Sequence, residues 1–231
     1  MPAPAPLAAS ALTPFALSLS KGVSGRSLCL IHCWINSFFD PNGAPMALKS
    51  TIFKANLQIA DIDHGYYADH ALTLARHPSE TDDRMMARLV ALALNAHQLN
   101  DLCNGDATLS FGAGLSDPED PDVSLTDYTG RKRLWIEVGQ PEDKPIAKAC
   151  SKSDQVLLYP FSHSADVWWR GIESKFSRLP KLQVWRLPSE TAPELAQLAE
   201  RSMQLQATIQ EGSITLSSKL GSVVVEPVRW K

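Results

Sequence analysis

The chain is 231 residues long, which is enough for one sizeable hydrophobic core but leaves little material for a second domain. Its formal net charge is −3, and the only charged residues among the first 45 are Lys21, Arg26 and Asp40, so residues 46–231 carry a net charge of −4. Strong non-specific binding to DNA depends on clustered Lys and Arg, so this balance argues against a broadly basic nucleic-acid-binding protein. Any nucleic-acid partner must therefore be met by a local basic patch.

The first 45 residues differ in composition from the rest of the chain. They are rich in Ala, Pro, Ser and Leu, show no sustained periodicity, and end in turn-forming residues at 40–45. No basic residue precedes Lys21 and no apolar run approaches about 20 residues, so neither a secretory leader nor a membrane span is favoured. We predict that residues 1–45 are a disordered extension produced by a mis-assigned start. A genuine disordered tail or a weak leader are the alternatives.

The four cysteines are too scattered to form a disulfide framework. Cys29, His32 and Cys33 lie in the extension, and no second ligand pair at zinc-finger spacing accompanies them. Cys150 follows Ile146 at helical spacing and is interpreted as a small apolar core residue. A reducing, cytoplasmic setting is expected.

Two strand-like runs follow the extension, at residues 50–60 and 66–74, and the turn residues between them predict an antiparallel β-hairpin. The next segment is predicted to be the main core helix. Its start at 79–82 resembles a capping box, and its apolar residues recur at steps of four and three. These periodic residues are Met85, Leu89, Leu92, Ala96 and Leu99. Further apolar residues widen this face, so we expect the helix to be covered on more than one side.

The middle of the chain is predicted to contain a strand, a hairpin, a helix and another strand. The strand at 107–111 ends in Gly112-Ala113-Gly114, where backbone segments can approach closely. The hairpin spans 122–138, a helix runs through residues 146–150, and a strand follows at 155–159. Together with the core helix, these segments give the order αβββαβ, which is typical of a mixed sheet flanked by helices.

The last third is predicted to contain a helix at 165–174, a strand at 182–187 and a helix at 193–203. A β-meander completes it, with strands at 205–210, 214–216 and 222–228. No internal repeat or linker divides residues 46–231. We therefore predict one α+β (mixed α/β) domain, in which the opening hairpin and the meander build a second β layer.

Two carboxylates lie on the central predicted hairpin, Asp122 at the start of its first strand and Glu137 near the end of its second. Acids on neighbouring strands can share one divalent cation, and Mg²⁺ prefers such oxygen ligands. Alternation along the strand places Glu137 on the same face as Trp135 and Gly139. Two alternatives remain: Asp122 could simply cap its strand, and Glu137 could be neutralised by a nearby base, namely Arg131, Lys132 or Arg133.

Five motifs stand out along residues 46–231: Arg76-His77-Pro78-Ser79-Glu80-Thr81, Ser110-Phe111-Gly112-Ala113-Gly114-Leu115, Trp135-Ile136-Glu137-Val138-Gly139-Gln140-Pro141, Lys148-Ala149-Cys150 and Leu205-Gln206-Ala207-Thr208-Ile209-Gln210. Together these motifs resemble the YaeQ family, and the resemblance runs from about Met46 to the C-terminus. The resemblance implies a bacterial protein with a variant of the PD-(D/E)XK nuclease fold, which is a restriction-endonuclease-like core. It implies no settled biochemical activity.

The nuclease fold also implies a set of site residues. In working nucleases two acids hold Mg²⁺, and a lysine two places after the second acid helps to activate water. Asp122 and Glu137 match the acids, but Gly139 stands at the lysine position. Because the family fold places the first helix near the site, Glu80 is a third candidate metal ligand. Its alternative role is that of a helix N-terminal acid favoured by the macrodipole.

A lysine from the next helix could replace the missing one. Lys144, Lys148 and Lys152 are spaced by four and form one stripe on the predicted helix. Lys144 and Lys148 are the candidate catalytic lysines, and a solvated helix face is the alternative interpretation of the stripe. Elsewhere, five histidines show no spacing typical of metal ligands, namely His64, His70, His77, His97 and His163.

Two classes of function remain. We favour a degenerate PD-(D/E)XK-like module that binds a partner, either nucleic acid or a transcription-related protein, because Gly139 leaves the lysine position vacant and the domain is net acidic. The alternative is a Mg²⁺-dependent phosphodiesterase or nuclease acting through Asp122 and Glu137. The fold alone does not decide between them. No membrane partner is expected.

Overall fold

The computed structural model describes residues 50–231 apart from 114, 116 and 118. The predicted extension at 1–45 and its Cys29-His32-Cys33 group lie outside the described residues.

Two β-sheets and five α-helices make up the described chain. The five-stranded sheet consists of β1 (Thr51–Asp61), β2 (Tyr66–Arg76), β8 (Ser202–Gln210), β9 (Ser213–Ser218) and β10 (Gly221–Val225). The six-stranded sheet consists of β3 (Ala107–Phe111), β4 (Val123–Asp127), β5 (Lys132–Val138), β6 (Ser153–Tyr159), β7 (Leu182–Arg186) and β11 (Val228–Arg229). The helices are α1 (Asp82–Leu94), α2 (Gln98–Cys103), α3 (Asp143–Lys152), α4 (Ala165–Phe176) and α5 (Ala192–Gln197).

The topology confirms the predicted mixed α+β fold. The five-stranded sheet has the order β10-β9-β8-β1-β2, in which only β1 and β8 run parallel, so the opening hairpin and the terminal meander do form one layer. The other sheet has the order β11-β7-β6-β5-β4-β3, with β5, β6 and β7 parallel and the remaining pairs antiparallel. Apart from the short α2, its elements follow the predicted order αβββαβ.

Helix α1 lies at the centre of the larger core. Every residue from Met85 to Ala93 is buried, because the helix contacts β9 of one sheet and β4 and β5 of the other. The inner face of β5 contributes Leu134, Ile136 and Val138 to this core. The prediction that this helix is covered on more than one side is confirmed. Side chains carried by α1 can therefore reach the end of β5.

The opposite face of β5 packs against α3 and α4. Trp135 belongs to a second apolar cluster with Ile146 of α3 and with Trp169 and Phe176 of α4. This alternation confirms that Trp135 and Glu137 face away from Leu134 and Ile136, toward α3. No helix in the described residues is long and apolar enough to cross a bilayer.

Three sequence-based boundaries are wrong. The core helix ends at Leu94 instead of continuing through Leu99, because Asn95 leaves the helical conformation and its side chain donates to the Ala91 carbonyl (2.7 Å) and to the Tyr159 hydroxyl (2.8 Å). The helix predicted at 193–203 ends at Gln197, since Ser202–Gln210 forms a strand paired with β1. Val228 leaves the meander and pairs with Arg186 of the other sheet.

Candidate functional site

A close backbone contact fixes Asp122 at the entrance of β4. Its carbonyl accepts a hydrogen bond from the Gly112 amide at 3.0 Å, and its Oδ2 accepts one from the Val138 amide at 2.8 Å. A Cβ at position 112 would lie 1.9 Å from the Pro121 carbonyl oxygen, so only glycine fits there. The predicted close approach at Gly112 is therefore confirmed. It holds the Asp122 carboxylate at the C-terminal end of β5.

Two arginines of α1 bind this carboxylate and a second one. Arg84 donates through Nη2 to both oxygens of Asp122, at 3.0 and 2.8 Å, and through Nη1 to Glu80 Oε1 at 2.8 Å. Arg88 lies one helical turn further on and donates through Nη1 to Glu80 Oε1 at 3.1 Å, while its Nε is 3.4 Å from Asp122 Oδ1. We call these four residues, Glu80, Arg84, Arg88 and Asp122, the acid–arginine cluster.

Three residues of the cluster are almost completely removed from solvent, and the Arg84 side chain is 14% exposed. Arg88 is 0% exposed, Asp122 2% and Glu80 3%. Burial raises the pKa of the Asp122 carboxyl, while the charges of Arg84 and Arg88 and the Val138 amide act in the opposite direction. Two guanidinium groups thus face two carboxylates, so the cluster can balance its own charge. Such pairing is what allows charged groups to be buried.

The hairpin bases that one alternative paired with Glu137 bind other carboxylates, and the cations of the cluster come from α1. Lys132 pairs with Asp120 at 2.6 Å, Arg133 with Asp154 at 2.9 Å, and Arg131 also binds Asp154. Sequence reasoning missed the arginines, although a signal existed. Arg88 sits within an uninterrupted apolar run, where a charged side chain must find buried partners.

Glu137 is the predicted site carboxylate that does not belong to the acid–arginine cluster. Its Oε2 accepts a hydrogen bond from Trp135 Nε1 at 3.2 Å, and it forms no salt bridge among the described residues. Burial raises the pKa of Glu137 to about 7, and the nearby charge of Asp122 adds to the effect. Val123 pairs with Ile136, so Asp122 and Glu137 lie at the same end of the hairpin, and an ion shared by the two carboxylates stays a prediction. Glu137 changes its protonation state near neutral pH.

Glu137 opens on a cavity of about 290 Å³ between β5 and α3. We call it the lysine pocket; its polar and aromatic lining consists of Glu119, Trp135, Glu137, Lys144, Lys148 and Lys152. Lys148 and Lys152 both pair with Glu119, the latter at 3.3 Å. Lys152 and Lys132 also lie over the Trp135 ring, at 5.9 and 5.0 Å from its centroid. The lysine stripe thus faces the same pocket as Glu137.

The position that carries the lysine in nucleases has a backbone suited to glycine. Gly139 adopts a φ of +122°, a conformation that residues with a Cβ rarely take, and its amide donates to the Tyr159 carbonyl at 3.0 Å. Space is not the constraint, because a Cβ there would meet nothing within 4 Å. A lysine at 139 would require a different backbone at the end of β5.

A second group of potential ligands lies away from these residues. One donor atom each of Asp61, His64 and His97 lies within 4.8 Å of the others, which is an arrangement that can hold a metal ion. Sequence reasoning missed it because His97 is 33 positions beyond His64, a spacing with no helical or hairpin signature. The β1–β2 turn and the end of α1 bring the three residues together.

Comparison with known proteins decides the family. The family model described as YaeQ protein matches residues 46–227. This chain belongs to the YaeQ family. It is 41% identical over 188 residues to the "Uncharacterized protein YaeQ" of Salmonella typhi, covering 80% of this chain and 98% of that protein. It is 40% identical to the Escherichia coli (strain K12) protein of the same name, with the same coverage.

Solved structures agree with this assignment. The YaeQ protein from Xanthomonas axonopodis pv. citri is similar with a TM-score of 0.71 and 38% identity, covering 79% of this chain and 98% of that one. The YaeQ protein from Pseudomonas syringae gives a TM-score of 0.70 and 28% identity, covering 79% and 96%. The YaeQ resemblance of the sequence motifs is thereby confirmed, together with the bacterial family.

Two of the ligands predicted for Mg²⁺, Glu80 and Asp122, are paired with arginines of α1. Both oxygens of Asp122 already accept hydrogen bonds, and Arg84 joins Asp122 to Glu80 with a positive charge where a cation would have to bind. Mg²⁺ demands near-octahedral oxygen ligands, which two salt-bridged carboxylates do not offer. In this YaeQ protein, binding of Mg²⁺ by Glu80, Asp122 and Glu137 therefore stays a prediction. The acid–arginine cluster argues against it.

Proposed function

We propose that this YaeQ protein is a non-catalytic, cytoplasmic module with a degenerate restriction-endonuclease-like core of the PD-(D/E)XK type. Residues 46–231 form its one domain, and its partner is nucleic acid, bound by the phosphate backbone at the lysine pocket. The observation that carries the proposal is the separation of charges around β5. Two of the three predicted acids, Glu80 and Asp122, pair with Arg84 and Arg88, whereas the lysines of α3 turn toward a pocket beside Trp135.

The acid–arginine cluster supports a role without catalysis. A working nuclease needs carboxylates that are free to hold a metal and a positioned group that activates water. Asp122 and Glu80 are already engaged by guanidinium groups, and Gly139 replaces the lysine. Breaking a buried charge pair costs several kcal/mol, about 3–5 when one partner is removed, so a metal would have to overcome that cost.

The lysine pocket supports phosphate binding. Its lysines recur one turn apart on α3, so their ammonium groups lie along a line that a phosphate backbone can follow. Glu119 now binds Lys148 and Lys152, and Asp120 binds Lys132. These two carboxylates lie in the loop before β4 and form ion pairs with the lysines. The phosphates of a nucleic acid would form the same kind of ion pair. Trp135, which lies under two of the lysines, adds an aromatic surface to the pocket.

The binding test uses two triple variants with the same change in charge. We expect Lys144→Gln/Lys148→Gln/Lys152→Gln to weaken binding of a labelled single-stranded oligonucleotide at least about tenfold at low salt. With each lysine removed, binding neutralises fewer phosphates and so releases fewer counterions from the oligonucleotide. The slope of log Kobs against log salt should fall by about 0.7 for each lysine. Fluorescence anisotropy between about 50 and 200 mM salt measures both quantities.

The matched control is Lys54→Gln/Lys175→Gln/Lys219→Gln, which removes three exposed lysines outside the pocket. This control should bind like the unaltered protein. Equal weakening in the two triple variants would show that only net charge matters, and an absence of binding at 50 mM salt would remove nucleic acid as the partner. A transcription-related protein would then be the remaining class of partner.

One observation favours a second function. Glu137 is a half-buried carboxylate that forms no salt bridge within the described residues, and Lys144 and Lys148 line its pocket, as a Mg²⁺-dependent phosphodiesterase with a relocated lysine would require. We nevertheless expect no efficient cleavage of DNA or RNA with Mg²⁺, since the loss of positioned acid–base assistance alone costs about 10²- to 10⁴-fold. Gel assays of the purified protein measure this. Efficient Mg²⁺-dependent cleavage that disappears in Glu137→Gln and in Lys144→Ala or Lys148→Ala would establish the nuclease and overturn the non-catalytic proposal.

A further inference from the structure

Asp61 is a buried carboxylate whose partners are histidines. It ends β1, is 1% exposed, and accepts hydrogen bonds from the His64 amide at 3.0 Å and, at 2.9–3.1 Å, from His64 Nδ1. His97, which follows α1, places its Nδ1 3.4 Å from Asp61 Oδ2. No Lys or Arg of the described residues forms a salt bridge with Asp61. Both imidazoles therefore point a ring nitrogen at the same carboxylate oxygen.

The second histidine leaves a polar atom without a hydrogen bond. His97 Nδ1 is buried and has no hydrogen-bond partner among the described residues. An imidazole nitrogen without a hydrogen-bond partner is a potential metal ligand, and the buried carboxylate of Asp61 lacks the positive charge that a paired Lys or Arg would provide. A cation between the three groups would supply it.

The distances between the ligand atoms fit a transition-metal ion of intermediate softness, such as Zn²⁺. Bonds of about 2.0–2.2 Å from a tetrahedral ion to nitrogen and oxygen place neighbouring ligand atoms about 3.3 Å apart. The Nδ1 atoms of His64 and His97 are 2.9 and 3.4 Å from Asp61 Oδ2, and all three donor atoms lie within 4.8 Å of one another. Imidazole nitrogen suits Zn²⁺, Co²⁺ or Ni²⁺, whereas Mg²⁺ prefers a full set of oxygens.

The two rings must turn before both nitrogens can bind one ion. They are stacked with centroids 3.6 Å apart and an interplanar angle of 1°, so their lone pairs run side by side. His64 is the ring that can move, because it lies in the turn between β1 and β2 and its side chain is 45% exposed. Rotation of His64 about its side-chain torsions would let its lone pair converge with that of His97.

We propose that Asp61, His64 and His97 bind one divalent transition-metal ion, with Zn²⁺ as the expected occupant. A cavity of about 210 Å³ borders both histidines and is also lined by Tyr159 and Trp185. It leaves room for a water molecule or a ligand atom in the fourth position. Three protein ligands with one open position are the arrangement of zinc sites that bind exchangeable ligands. This site is separate from the lysine pocket, and the two share no lining residue.

The test measures metal binding to the full chain. The chain carries Cys29→Ser and Cys33→Ser, so that the thiols of the first 45 residues do not compete for the ion. Calorimetric titration with Zn²⁺ of the chelator-treated protein should give one site per chain, and Co²⁺ should give a visible absorption spectrum without thiolate bands. Excess Mg²⁺ should not displace either ion.

Four variants decide whether these residues are the ligands. His97→Ala, Asp61→Asn and the more exposed His64→Ala should each weaken Zn²⁺ affinity at least about tenfold, while the control His163→Ala leaves it unchanged. If His97→Ala or Asp61→Asn fails to fold, His64→Ala carries the test alone, because its side chain lies in a turn. Lack of stoichiometric Zn²⁺ binding in the micromolar range, or equal affinity in His64→Ala and His163→Ala, would overturn the proposal.

Discussion

Glu137→Gln is expected to raise the free energy of unfolding at pH 8 by up to about 3 kcal/mol, and to leave it unchanged near pH 4. In the folded protein burial raises the pKa of Glu137 from 4.5 to about 7. The unfolded chain releases this proton near pH 4.5, whereas the folded chain holds it until about pH 7. Since glutamine resembles the protonated acid, the variant stays in the favourable state at every pH.

The sign of the expected stability change follows from the direction in which burial shifts the pKa of Glu137. A carboxyl group with a raised pKa stabilises the fold fully below its unfolded pKa, and this stability is lost as the pH rises through the folded pKa. The wild-type protein therefore loses stability between about pH 4.5 and pH 7 relative to the variant. The figure of about 3 kcal/mol is an upper limit, because Glu137 is only partly buried beside the lysine pocket and water screens part of its charge.

Urea unfolding at several pH values between 4 and 8 measures the effect. Glu173→Gln, on the exposed side of α4, is the matched control and should follow the wild type at every pH. Parallel curves for Glu137→Gln and the wild type would mean that Glu137 is ionised at little cost, and hence that a cation or a more solvated environment accompanies it. A gain in the free energy of unfolding of Glu137→Gln at pH 8 would also matter for the proposed binding of nucleic acid. An ionised Glu137 repels a phosphate in the lysine pocket.

The fold was readable from the sequence because its elements carry their own periodicity. The alternation of Phe53, Ala55, Leu57 and Ile59 along β1 is strict, and so is that of the meander strands, so burial on one face determined both strand identity and register. The helix predicted at 193–203 failed where local pattern and tertiary pairing disagreed. Met203, which was predicted to end that helix, pairs with Ala55 of β1 and belongs to the strand.

The candidate sites were only partly readable, because they depend on contacts between distant segments. Asp122 and Glu137 share a hairpin, so their proximity followed from local sequence. The partners of Asp122 did not, since Arg84 precedes it by 38 positions and reaches it only because α1 packs between the two sheets. His64 and His97 meet for a similar reason, at the end of α1 that the sequence analysis extended too far.

Arg88→Met is expected to lower the free energy of unfolding by about 3–5 kcal/mol, the loss found when one member of a buried ion pair is removed. Arg88 is 0% exposed and donates to Glu80 and to the Gly112 carbonyl, at 3.1 and 3.3 Å, while its guanidinium lies 5.3 Å from the centre of the Phe111 ring. Methionine fills much of the volume but carries no charge. Glu80 and Asp122 would then share Arg84 alone.

A double-mutant cycle separates this charge effect from packing. If uncompensated charge is the cause, Glu80→Gln in the Arg88→Met background restores part of the stability, with a coupling energy of about 0.5–3 kcal/mol. Arg178→Met, at an exposed position after α4, is the control and should change stability by less than about 0.5 kcal/mol. Because the cluster is buried, added salt should change this loss of stability only weakly.

A loss of stability no larger than that of Arg178→Met, or additive effects of Arg88→Met and Glu80→Gln, would mean that Arg88 does not neutralise Glu80. Arg84 would then be the one arginine of the cluster that neutralises Glu80, and the case for a non-catalytic module would lose part of its support.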